Sequence, residues 1–191
     1  MKYIDPIDPI KYILASGSPR RKDLLKDIIS EFEIIIPNVD EIETAETALF
    51  LPTDNAIIKG KKIAKQYPDC MVISADTIVV HNDTILGKPK NFNNAIEMLN
   101  QLNGQTHQVM TGVSLINISA NYYQTFTETS TVTFNKLSEK EIKNYLSLIN
   151  PLDKAGAYAA QEYSELLINN IAGSINNVIG LPTETLYKYL K

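Results

Sequence analysis

The sequence predicts an α/β fold: a mixed, strongly twisted sheet flanked by helices. Two observations carry this. Segments with apolar residues at helical spacing alternate along the chain with short apolar, β-branched runs. Two long segments, "THQVMTGVSLINI" and "YYQTFTETSTVTF", follow one another, alternate in polarity and are rich in Thr, Val and Tyr. That pattern marks long, twisted antiparallel strands.

The elements follow in order. Tyr12 to Ala15 reads as a short buried strand. Ser18 then fits a helix N-cap and Pro19 the first helical position, with Leu24, Leu25, Ile28 and Ile29 at helical spacing. "FEIIIPN" from Phe32 reads as a second strand and "VDEIETAETALFLP" as a polar loop. "TDNAIIKGKKIAKQY" (Thr53 to Tyr67) is a helix with a cationic side, and "MVISADTIVV" a buried strand running into Asp76. "HND" is a turn signal. Asn91 to Leu102 is a helix with Ala95, Ile96, Leu99 and Leu102 on one face. After the two long strands, "SEKE" (Ser138 to Glu141) is a capping box that opens another helix. A strand is expected at Glu165 to Asn169, a strand ending at Gly180 in "NNVIGLP", and a helix from Pro182 to Leu190. No linker divides the chain, so it reads as a single domain over 1–191, with 1–10 ("IDPIDPI" and its flanks) as an N-terminal extension.

Composition excludes several classes. The net charge of −4 gives no general attraction for nucleic acid or an anionic membrane. Cys70 is the only cysteine, which removes disulfides and Cys-based zinc sites, and His81 and His107 are too few for a multi-histidine metal site. There is no run of 18 apolar residues and no signal-peptide core, so a cytoplasmic protein is expected.

"SGSPRR" (Ser16 to Arg21) poses a problem of charge. A helix N-terminus carries positive potential, which disfavours cations there, yet Arg20 and Arg21 stand at a predicted helix start. An anion would offset that cost. Ser16, Gly17 and Ser18 with two guanidinium forks form a candidate phosphate cradle, against an ordinary Ser–Pro helix start with exposed arginines. Asp76 ends a buried strand, where open α/β sheets place ligands, and the loop holding Asp40, Glu41 and Glu43 could join it in a magnesium site shared with phosphate oxygens. The bland readings are a turn cap and a solvated charge run. Lys59 lies mid-helix and Lys88 in the tight turn "LGKPKN". Cations for phosphates, carboxylates for a metal, and hydroxyls suit polyphosphate chemistry.

The segments "LASGSPRRKDLL", "VDE", "AIIKGKKIA", "SADTIVV", "LGKPKN", "LNGQTHQVMTGVSL", "DKAGAYAAQ" and "NNVIGLP" occur from Ile13 to about Leu190. In that order they resemble the Maf nucleoside-triphosphate pyrophosphatases, also called septum-formation inhibitor proteins. The resemblance implies a fold like that of inosine-triphosphate pyrophosphatases, with two lobes around a central cleft. It implies metal-dependent hydrolysis (Mg²⁺ or Mn²⁺) of a nucleoside triphosphate to the monophosphate and pyrophosphate, and it allows a homodimer. Position by position, Ser16, Arg20 and Arg21 match the phosphate-binding motif, and Glu41 and Asp76 the acidic, metal-binding and catalytic positions. Lys59 and Lys88 match the catalytic lysines. Thr77 and Gln161 resemble the substrate-binding positions of the subgroup that acts on dTTP and UTP, as against the one that prefers 7-methyl-GTP. Gly60 stands where the family usually has Ala. The competing reading is a nucleotide-binding regulator of septum formation that needs no turnover. Both arginines are expected to face a wet cleft with little effect on folding.

Overall fold

A computed structural model describes residues 10–42 and 48–191. Glu43 and the extension up to residue 9 lie outside the described residues.

Strand β1 (Tyr12–Leu14) leads into helix α1 (Pro19–Lys26), then β2 (Glu33–Ile34), α2 (Leu51–Ala64), β3 (Met71–His81), β4 (Thr84–Leu86) and α3 (Phe92–Leu102). The long pair β5 (Thr106–Asn117) and β6 (Tyr122–Phe134) precedes α4 (Glu139–Leu148) and two 3-10 turns, Pro151–Asp153 and Ala155–Ala157. The chain finishes with α5 (Ser164–Leu167), β7 (Ile168–Ala172), α6 (Ile175–Ile179) and α7 (Thr183–Tyr189). The sheet is mixed as expected, in the order β2-β1-β3-β5-β6-β7, with β4 folded back on β3. β1 runs parallel to β2 and β3, and all other pairings are antiparallel.

The "HND" turn is present as expected, in a hairpin whose return strand, β4, is too short to show a period; Asn82 and Asp83 take the left-handed conformation that such a turn demands. Three local readings need correction. Asp76 does not end a strand: β3 continues through it to His81, because the apolar run resumes at Ile78 and pairs with β5. The strand expected at 165–169 begins later. Residues 164–167 form one helical turn that buries Leu167, and β7 starts where the end of β6 offers an edge to pair with. The segment before Gly180 is the short helix α6, not a strand. Ser174 caps it by accepting from the Asn177 amide, and Gly180, at φ 129°, ends it. The capping box on α4 is present in full.

The core has two main parts, and β3 and β5 run through both. Ile73 and Ala75 of β3 and Val113 and Leu115 of β5 pack with Leu14, Leu25, Ile28 and Leu186. Further along the same strands, Val79 and Val109 pack with Leu99, Val132, Phe134, Tyr145 and Leu146. Asp76 and Thr77 fall between the two, where β3 leaves one core for the other. Their β5 partners are Gly112 and Thr111.

Two glycines bring α2 down onto this crossing point. A Cβ on Gly112 would collide with the Pro52 carbonyl and the Thr53 amide, so only glycine lets the start of α2 cross β5 there. A Cβ on Gly60 would stand 2.5 Å from Ser114 Oγ and 2.6 Å from Ser74 Oγ. Those hydroxyls are bonded to each other and to the Ala56 carbonyl. Two hydroxyls thus occupy the space that a side chain at position 60 would need.

Candidate active site

The end of β1, the middle of β3, the α1 start and the 3-10 turns line a cleft of about 980 Å³. The nine residues that the family resemblance assigns to the site line it: Ser16, Arg20, Arg21, Glu41, Lys59, Asp76, Thr77, Lys88 and Gln161.

One wall is the start of α1. Ser18 caps the helix by accepting from the Arg21 amide, as the Ser–Pro pattern indicated. Ser16 Oγ accepts from the Ser18 amide (3.2 Å) and from Arg21 Nη1 (3.3 Å). Among the described residues no acceptor claims the Ser16 hydroxyl proton, so it is available to a ligand.

The two arginines differ, which corrects the expectation that both are loose in a wet cleft. Arg21 is anchored: Nε donates to the Gly180 carbonyl (2.9 Å) and Nη2 to Thr77 Oγ1 (3.0 Å). Burial pulls its pKa below the ordinary arginine value; the charges of Asp76 and Glu41 oppose that pull, and Arg20 adds to it. It stays a cation, and two of its five N–H groups remain unclaimed among the described residues. Arg20 instead reaches across to the first 3-10 turn. Nη1 lies 3.0 Å from Asp153 Oδ2, and Nη2 donates to the Asp153 carbonyl (3.2 Å). Partial burial works to raise the Asp153 carboxyl, but hydrogen bonds from Lys154 and Arg20, with their charges, outweigh it and hold its pKa below the usual value. Lys154 is itself buried, with Nζ on Asp153 Oδ1 and on the Asn150 carbonyl.

Thr77 supports Arg21. Thr111 donates its hydroxyl proton to the Asn177 carbonyl (3.1 Å), so the 2.9 Å contact between the two threonines uses the Thr77 proton. Thr77 thus accepts from Arg21 and donates to Thr111, with no proton left for a ligand while this chain of bonds holds.

The opposite wall is acidic with one cation at its centre. Lys59 Nζ lies 2.8 Å from Asp76 Oδ1 and 3.0 Å from Glu41 Oε2. Lys59 and Asp76 are buried, whereas the Glu41 side chain is 44% exposed and opens to solvent. Lys88 and Gln161 are exposed on the cleft rim. Gln161 follows a segment fixed from below, since the Tyr145 hydroxyl bonds both the amide and the carbonyl of Ala159.

The donor set suits a hard divalent cation. Among the described residues no group of three or more His, Cys, Asp or Glu forms a ready cage. Two carboxylates that face arginine and serine donors across a cleft match the way magnesium is held by one or two carboxylates and the oxygens of an anionic ligand.

Sequence reading missed two contributors. Asn55, one helical turn before Lys59, is buried and bonded to Asp76 and Ile42; in an amphipathic helix it looks like any polar residue. The Arg20–Asp153 pair joins residues 133 apart in sequence, and no local signal links them.

A family model for Maf-like proteins matches residues 11–191. The chain belongs to the Maf family. Maf relatives include a dTTP/UTP pyrophosphatase of Bacillus cereus (strain G9842), 43% identical over 185 residues that span 95% of this chain and 94% of the relative. Another of that name, from Latilactobacillus sakei, is 44% identical and covers 94% and 99% of the two chains, and one from Clostridioides difficile is 43% identical. Among solved structures, the Staphylococcus aureus Ham1 protein shares the fold, with a TM-score of 0.52 at 17% identity and coverage of 94% and 97%.

Proposed function

We propose that this Maf protein hydrolyses dTTP and UTP to the nucleoside monophosphate and pyrophosphate. The observation that carries the reaction is the cleft itself, where an arginine-lined helix start faces two carboxylates joined by Lys59. Full-length identity above 40% with relatives named dTTP/UTP pyrophosphatases supports the choice of base.

In this reading the triphosphate lies along the start of α1. The Ser16 hydroxyl, the unclaimed N–H groups of Arg21 and the guanidinium of Arg20 donate to its oxygens, with the helix dipole adding to them. Its charge offsets the cost of cations at that helix end. Lys88, on the rim, adds a further positive charge. Asp76 and Glu41 would hold a magnesium or manganese ion, which when bound supplies charge neutralisation on the phosphates and a more acidic water. The attacking water bonds to the α-phosphorus, the α–β anhydride bond breaks, and pyrophosphate leaves with the bridging oxygen. The proton lost by the water passes to a carboxylate of the Asp76–Glu41 pair. Lys59 holds that pair together and balances its charge.

In this reading Gln161, exposed on the cleft rim, meets the base. Its amide donates and accepts, which complements O4 and N3–H of uracil and thymine and mismatches cytosine. A substrate drawn from the nucleotide pool supports a cytoplasmic location, and among the described residues no helix is long and apolar enough to cross a membrane. Pyrophosphate release across a nucleotide panel with Mg²⁺ or Mn²⁺ tests the reading: dTTP and UTP should exceed CTP, and CTP should exceed GTP.

A further inference from the structure

Asn55 lies outside every residue assigned a role above, yet it is 3% exposed and its carboxamide is fully used. Oδ1 accepts from the Ile42 amide at 2.7 Å. The two Nδ2 hydrogens go to the Ile42 carbonyl (3.0 Å) and to Asp76 Oδ2 (3.1 Å). The bonds to Ile42 copy a strand pairing with a side chain, directly after Glu41. Among the described residues they are the hydrogen bonds that tie the stretch 36–42 to the rest of the chain, with the Glu41–Lys59 ion pair as its other polar tie. The third bond fixes the Asp76 oxygen that Lys59 does not touch, since Lys59 takes Oδ1. The approach that Gly112 permits between α2 and β5, beside Asp76, places Asn55 where it can do both.

We propose that Asn55 is a positioning residue: through three hydrogen bonds it sets Glu41 and Asp76 in register on either side of Lys59. The proposal rests on the pyrophosphatase reading for its effect on turnover, but not for the geometry itself. Removing the carboxamide frees the Glu41 segment and lets the Asp76 carboxylate rotate, while the arginine cradle on α1 is untouched. The signature is a fall in kcat with little change in KM for the nucleotide.

The test uses Asn55→Leu, which loses all three bonds, and Asn55→Asp, which is isosteric and keeps only the acceptor for the Ile42 amide. Three quantities are measured on each: hydrogen exchange of the Ile42 amide in metal-free protein, Mn²⁺ binding followed by electron paramagnetic resonance, and kcat and KM for dTTP. For Asn55→Leu, Ile42 exchange should quicken and Mn²⁺ binding weaken, each by about tenfold or more, as loss of the hydrogen bonds made by the buried Asn55 carboxamide implies. Its kcat should fall by a similar factor, with KM shifting less than about threefold. Asn55→Asp should keep the Ile42 amide protected but lose turnover, and it decides the matter if the leucine variant does not fold. A folded variant that keeps wild-type kcat and Mn²⁺ affinity would overturn the proposal, as would equal losses in kcat and in the affinity for nucleotide. If the wild-type chain releases no pyrophosphate from any nucleotide, the pyrophosphatase reading fails instead, and the exchange and Mn²⁺ measurements still decide the role of Asn55.

Discussion

Lys59 Nζ stands 2.8 Å from Asp76 Oδ1, and both side chains are largely shielded from water, at 7% and 13% exposure. A buried pair contributes little net stability when intact, but losing one partner is expensive because the other charge is left behind. Lys59→Met should therefore destabilise the protein by on the order of 3 kcal/mol and abolish measurable turnover. Asp76→Asn keeps the shape and leaves Lys59 paired with Glu41. It should cost much less stability and still lose turnover. Denaturant melts beside initial rates separate the two.

Arg20 and Arg21 are adjacent in sequence but should fail differently. Arg21→Ala removes bonds to Gly180, Ser16 and Thr77. It should lower stability by about 1–3 kcal/mol and kcat/KM by at least about tenfold. Arg20→Ala gives up a pair whose carboxylate is 46% exposed, so its stability cost should stay under about 1 kcal/mol. Its effect should fall mainly on KM for the triphosphate. Equal melting temperatures for the two variants would contradict the anchored role of Arg21.

The different legibility of these residues in the sequence has a physical basis. Asp76 was legible as the one carboxylate in a buried apolar run, although β3 continues past it to His81. Ser16, Arg20 and Arg21 sit at a strand end or a helix start, where local pattern fixes both the element and the direction in which it delivers its side chains. The capping box at Ser138 and the long β5–β6 pair were legible for the same reason. Asn55 was not, because its meaning depends on Gly112, on a different element, letting α2 approach β5. The Asp153 partner of Arg20 was equally hidden. The α6 segment misled because Val178 and Ile179 favour strands, while the cap at Ser174 and the stop at Gly180 overrode that preference.

The crossing of α2 over β5 can be tested directly. Gly112→Ala forces a methyl into the Pro52–Thr53 backbone, which cannot move without shifting the whole helix. Overpacking of this kind costs about 1–3 kcal/mol. Because Asn55 and Lys59 ride on that helix, turnover should fall as well. A variant with unchanged stability would show that the helix start moves freely.

His107 gives the fold a pH dependence away from the cleft chemistry. It is buried, its Nε2 bonds the Tyr158 hydroxyl at 2.9 Å, and Nδ1 has no partner among the described residues. Burial, helped by the charge of His81, lowers its pKa from 6.5 to about 4. The unfolded chain then binds the proton first, so this contribution is fully present above pH 6.5 and is lost as pH falls towards 4. The full loss is on the order of 3 kcal/mol. Unfolding free energies between pH 7.5 and 4 should fall less steeply for His107→Phe than for the wild type, even though the variant starts lower from leaving the Tyr158 hydroxyl unpaired.

Product analysis of dTTP and UTP hydrolysis by the purified chain, with Mg²⁺ or Mn²⁺ present and then with excess chelator, tests the activity most directly. The cleft predicts monophosphate and pyrophosphate in equal amounts, turnover abolished by chelator and restored by added metal, and rates above those for CTP and GTP. Release of orthophosphate and diphosphate, or no hydrolysis of any nucleotide, would contradict it; fastest cleavage of 7-methyl-GTP would overturn the choice of base alone.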